Sequence, residues 1–133
     1  MVVAQAPTRP DRPFKWISGR LALDFINTVG WPASDASREP IARYERVTRY
    51  ERLAQFALEA GLIDEDRYRL LGATALENPD EAAAVLDRAL RLRAALHWAL
   101  VDTIEGRGAS AQDLRVINGE LHRALSHLHL QTC

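Results

Sequence analysis

Cysteine occurs once, at Cys133, in a chain of 133 residues. One thiol cannot close an internal disulfide, form a CxxC redox pair or complete a cysteine-rich zinc site. An excess of either charge is missing too: 17 Lys+Arg against 18 Asp+Glu leave a formal net charge of −1. Modules dedicated to nucleic acid or membrane surfaces normally carry a basic excess, so direct nucleic-acid binding and a membrane partner are both unexpected. Lysine is almost absent, Lys15 standing against 16 arginines, so arginine reads as a general replacement for lysine rather than as a recognition patch. No run approaches the roughly 18 apolar residues of a membrane-spanning helix. Residues 1–13, with three prolines and two arginines, hold no apolar core of signal-peptide length and read as a disordered lead-in. Phosphate-binding glycine loops, HExxH and GxSxG are missing as well. No cofactor is expected, and the chain reads as one cytoplasmic, soluble domain over residues 14–133.

What is present is helical periodicity. Residues 14–17 alternate like one short edge strand. Residues 21–29 form a short, unusually apolar helix, in which Leu21, Ala22, Phe25, Ile26 and Val29 fill a wide arc at 100° per residue. Asp24, Asn27 and Thr28 gather in one narrow polar sector, the pattern of a helix buried over most of its circumference. A capping box, Thr48-x-x-Glu51, predicts the start of a second helix, which Gly61 ends. Asp64 caps a third. Asn78-Pro79 with Asp80 and Glu81 opens a fourth helix that runs to Glu105, where Gly106 and Gly108 end it. Ser110, with Asp113 three residues on, opens a fifth that pairs with the fourth as an αα-hairpin. The expected fold is mainly α: a single-domain bundle of about five helices with a short N-terminal strand.

The fourth helix carries polar groups where apolar ones are expected. Leu86, Leu90, Leu100 and Ile104 mark its apolar face, and Arg93 and His97 project from the middle of that face. A buried guanidinium needs a partner, because losing one costs on the order of 3–5 kcal/mol. The polar stripe at Asp24, Asn27 and Thr28 is the best candidate in the sequence, and Asp24 is expected to contact Arg93. These five residues are either a structural polar network or the lining of a small-molecule site, since convergent polar groups in an apolar wall define such sites. Trp98 falls in the opposite sector with Asp87, Arg91 and Asp102, which predicts a subunit or interdomain contact.

Two further clusters read as surface. His122, His129 and Cys133 share one helix flank but span roughly 16 Å along the axis at 1.5 Å per residue, too far for one Zn²⁺, and His127 points away; no metal site is expected. Arg43, Arg46, Arg49 and Arg52 recur every three residues, with Glu45 and Glu51 interleaved, as a solvated helix face does. No nucleophile–base pair or paired carboxylates stand at helical spacing, so no catalytic residue is assigned.

Residues 19–29, GRLALDFINTV, resemble the LALDFVNT segment of the ABATE domain, the N-terminal part of bacterial CGNR zinc-finger proteins. Residues 50–64 are similar to the family's YEDLLAWAREAGLLD helix, residues 90–96 to ALALREAL and residues 113–121 to DLAALNAAL. The resemblance spans about residues 14–130. It implies a helical domain of a stress-induced transcription regulator, and it falls on Asp24, Asn27, Thr28 and Arg93. Family members are usually longer and carry a cysteine-rich CGNR finger thought to contact DNA. This sequence has no CxxC and no CGNR motif, so zinc ligands and DNA contacts are not carried over. The expectation is a sensor or interaction domain, a truncated piece or a short member, that binds a small effector or a protein partner. A dimerisation domain is the alternative and a small enzyme the third reading.

Overall fold

A computed structural model of the chain describes residue 14 and residues 20–32, 39–41 and 44–126. Among them the fold is mainly α, with five helices and no sheet. The expected strand over residues 14–17 lies outside the described residues except for Phe14, as does the lead-in. The helices are α1 (Leu21–Ile26), α2 (Tyr50–Glu59), α3 (Glu65–Glu77), α4 (Pro79–Ile104) and α5 (Ala111–Ser126). The chain divides into two compact units, residues 1–88 and residues 89–133.

In the first unit, local signals set most helix ends. Gly61 takes φ +79° just after the Ala60 C-cap of α2, a left-handed conformation that glycine adopts without a Cβ penalty. The Asp64 carboxylate accepts the Arg67 amide at 2.8 Å and caps α3. The box at Thr48 does not form: α2 begins at Tyr50 with Arg49 as N-cap and no side-chain cap. Glu51 instead takes the Arg49 Nε at 3.0 Å, and an ion pair to the adjacent cation replaces the reach back to an amide.

Three phenylalanines tie α1 to α2. Phe56 meets Phe14 edge-on and Phe25 at a tilt, both at 5.3 Å between ring centroids, geometries that aromatic pairs favour. Ile26, Val29, Val47 and Ala54 are buried with them, and α2 packs against α3. Arg52 corrects the solvated-face reading of the arginine run, because it is 2% exposed. Its guanidinium lies 4.3 Å from the Phe14 ring centroid, donates from Nε to the Arg46 carbonyl at 3.0 Å and from Nη1 to Gln55 Oε1 at 2.7 Å. Ring face and planar fork together use arginine geometry that lysine lacks.

The second unit holds the later part of α4 and α5. Gly106 and Gly108 both take positive φ in the turn between them, and Ser110 Oγ accepts the Asp113 amide at 3.1 Å to cap α5. The α4 face differs from the sequence expectation. Leu100 and Ile104 are exposed, while Arg93, Ala95, Trp98 and Asp102 are buried. Trp98 and Asp102 do share one sector, but that sector faces inward. Burial of the large indole outweighs the two leucine-type side chains, and the Asp102 carboxylate is answered by Arg107 Nη2 at 2.7 Å. Asp102 and Glu105 in turn raise the Arg107 pKa above its ordinary value, chiefly through these hydrogen bonds.

Candidate functional site

Three residues of the LALDFINT segment converge on one small cavity in the first unit. The cavity has a volume of about 190 Å³ and is walled by Phe14, Asp24, Asn27, Thr28, Val29, Gly30, Tyr44 and Arg46. α1 and the turn that ends it supply one side. At that end the Asn27 amide donates to the Leu23 carbonyl at 3.0 Å. Thr28 turns its Oγ1 back to donate to the Phe25 carbonyl at 2.7 Å. Trp31 Nε1 donates to the Ile26 carbonyl at 2.9 Å. These bonds use carbonyls that the last helical turn leaves without intrahelical partners. They hold a six-residue helix, otherwise too short to be stable alone.

The segment before α2 supplies the other side. The Ile41 amide donates to the Gly30 carbonyl, and the Arg46 amide to the Thr28 carbonyl, both at 2.8 Å. Gly30 is required where it stands. A Cβ there would come within 3.0–3.4 Å of the Tyr44 ring and Cβ, tighter than ordinary contact, so the missing side chain is what lets Tyr44 close against the turn. Arg46 Nη1 donates to the Tyr44 carbonyl at 3.3 Å, and Glu45 accepts the Val47 amide at 2.9 Å.

Burial is uneven around the cavity. Asp24, Thr28, Phe14 and Val29 are buried, Tyr44 and Arg46 are half-buried, and Asn27 is exposed. The wall therefore combines a carboxylate, a hydroxyl, an amide, a phenol and a guanidinium with apolar and aromatic surface, the composition of a small-molecule site.

The structure brings Asp24, Asn27 and Thr28 together here, and it describes Arg93 and His97 in the second unit. Arg93 is 1% exposed; His97 is half-buried, its ring edge-on to Trp98 at 4.5 Å. Trp98, expected on a contact surface, is 5% exposed. Of the terminal cluster, His127, His129 and Cys133 lie outside the described residues. Among the described residues no group of three metal-ligating side chains comes together, and no helix is long and apolar enough to cross a membrane.

Tyr44, Arg46 and Gly30 were missed by sequence reasoning. Arg46 sat in the arginine run, and only the glycine after a short helix hinted that another segment closes on it. A larger cavity of about 600 Å³ opens along α2, α3 and the first turns of α4. Its walls are rich in alanine, none of its polar side chains is buried, and the arginines at its rim pair with Glu51, Glu65 and Asp66. It lacks the convergent buried polar groups that mark the smaller one.

Comparison with known proteins gives one positive finding. The ABATE family model, described as "Putative stress-induced transcription regulator", matches residues 19–132. No curated protein and no solved structure matches the chain.

Proposed function

The chain belongs to the ABATE family, and on that premise we propose that it is the regulatory domain of a transcription regulator, acting in the bacterial cytoplasm without chemistry of its own. Its input is a small effector held in the cavity beneath the LALDFINT turn. The observation that carries this reading is the convergence of Asp24, Asn27 and Thr28 with Arg46 and Tyr44 on one cavity. Asp24 and Thr28 put buried polar residues on that wall beside the apolar Phe14 and Val29, the mixed lining of a small-molecule site. For Arg93 and His97 we propose a structural role, on the burial of one and the ring contact of the other.

The test is a thermal-shift screen of a broad metabolite library against the wild-type chain and Asn27→Ala. Asn27 is exposed, so its truncation spares the fold. A metabolite that raises the wild-type melting temperature, and acts less on the variant, supports the reading. A library without such a compound removes it.

A second reading, self-association, has one observation in its favour: Leu114, Leu121 and Leu125 stand exposed along α5, an apolar row that a second copy would cover. Sedimentation of wild type and Leu121→Glu distinguishes a dimer from a monomer.

A further inference from the structure

We infer that the larger cavity, the groove along α2, α3 and the first turns of α4, receives helix α5 of a second copy of this chain. This rests on the reading that the chain self-associates and adds the surface that α5 meets.

The groove suits a row of apolar side chains. It holds about 600 Å³ and lies wholly within the first unit. Tyr50, Tyr68, Leu76, Pro79, Ala83 and Leu86 are among its walls, and Leu76 is 85% exposed. The charges at its rim answer one another, Arg49 with Glu51 and Arg69 with Glu65 and Asp66. What the groove offers is therefore apolar area between helices, which the apolar face of an amphipathic helix fills.

Helix α5 carries such a face. Leu114, Leu121 and Leu125 are 44%, 53% and 55% exposed. At 3.6 residues per turn they fall within a sector of roughly 40° and span about 16 Å along the axis. That row matches the ten residues of α2, which at 1.5 Å per residue form a wall about 15 Å long.

Charge favours a second copy as the partner. The exposed charges of α5 are Arg115 and Arg123, whereas its acids, Asp113 and Glu120, are half-buried. The α3 and α4 walls have the opposite balance, for the exposed charges over residues 65–87 are six carboxylates and two arginines. Opposite signs draw these two surfaces together, and like signs keep one α5 from another. Each chain carries both halves of the contact, so one copy lends its helix to the groove of the next.

The experiment is sedimentation of the full chain, with Leu121→Glu on α5 and Ala83→Arg in the groove. Ala83 is exposed within α4, so an arginine there keeps the helix while it fills the groove and repels the α5 flank. Leu76→Glu serves if that variant fails to fold. Wild type is expected to associate, and each variant alone to associate more weakly by about tenfold or more. An equimolar mixture of the two variants is expected to regain association, since one copy keeps an intact groove and the other an intact helix. Added salt is expected to weaken the wild-type contact by screening its charges.

Association that Ala83→Arg leaves intact means that α5 meets another surface, such as a second α5. Self-association then stands and the groove assignment falls. A mixture that associates no better than either variant alone also overturns the groove assignment. A wild-type chain that stays monomeric removes both.

Discussion

Replacing Arg52 by alanine is expected to be among the most damaging single changes in the first unit. The side chain makes three interactions at once: Nε to the Arg46 carbonyl at 3.0 Å, Nη1 to Gln55 at 2.7 Å and the cation face on Phe14 at 4.3 Å. Hydrogen bonds from a charged donor are worth about 1.5–3 kcal/mol each, and a desolvated cation–π contact adds about 0.5–2 kcal/mol. Against these stands the cost of holding a guanidinium out of water, several kcal/mol for a buried ion. The expected net loss is about 2–4 kcal/mol. Arg52→Lys keeps the charge but not the fork, and it should recover less than half of that loss. Arg49→Ala is the control from the N-cap of the same helix. Its ion pair with Glu51 is open to solvent, with side chains 54% and 61% exposed, and exposed pairs contribute about 0.2–1 kcal/mol. Urea titration followed by helical circular dichroism measures all three. A loss below about 1 kcal/mol for Arg52→Ala, or one no greater than that of Arg49→Ala, would refute the reasoning that Arg52 is an internal anchor.

Other positions give sharper contrasts. Gly72 lies inside α3 with nothing within 4 Å of where a Cβ would be, so Gly72→Ala should stabilise by about 0.8–1 kcal/mol in the same titration. Gly61→Ala should destabilise by about 1–2 kcal/mol, because φ +79° is left-handed. Gly30→Ala drives a methyl into Tyr44, and should weaken whatever ligand the cavity takes while leaving α2 and α3 helical by circular dichroism. Trp98→Ala should cost about 3–5 kcal/mol, as a buried aromatic does; a loss under about 1 kcal/mol would mean that the indole does not serve packing within the chain.

Legibility followed the range of the interaction. Asp64, Gly61, Gly106 and Ser110 act on neighbours within three or four residues, and each does in the structure what its local pattern implies. The helix expected over residues 21–29 ends at Ile26, so Asn27 and Thr28 stand in the turn beyond it and not on a helical stripe with Asp24, although all three line the cavity. What lies across from them was not legible. Tyr44 and Arg46 reach the cavity through backbone pairing between residues 28–30 and 41–46, and nothing in a run of arginines announces that pairing. Thr48 failed as a cap because a nearer cation took Glu51. The inward face of α4 was misjudged for a related reason. Counting apolar residues favoured Leu100 and Ile104, whereas one indole together with an aspartate neutralised from beyond the helix end decides which side is covered.

The two described tryptophans also give the molecule an optical readout that needs no label. Trp31 sits in the first unit with its indole nitrogen tethered to the Ile26 carbonyl, one residue beyond a glycine of the cavity wall. Trp98 sits in the second with the His97 imidazole against its ring. Emission from the first follows the polarity of the turn, and emission from the second follows the packing around its buried ring. With the third tryptophan, Trp16, also replaced by Phe, Trp31→Phe or Trp98→Phe leaves a single indole, so that changes at the turn and changes around α4 are followed separately.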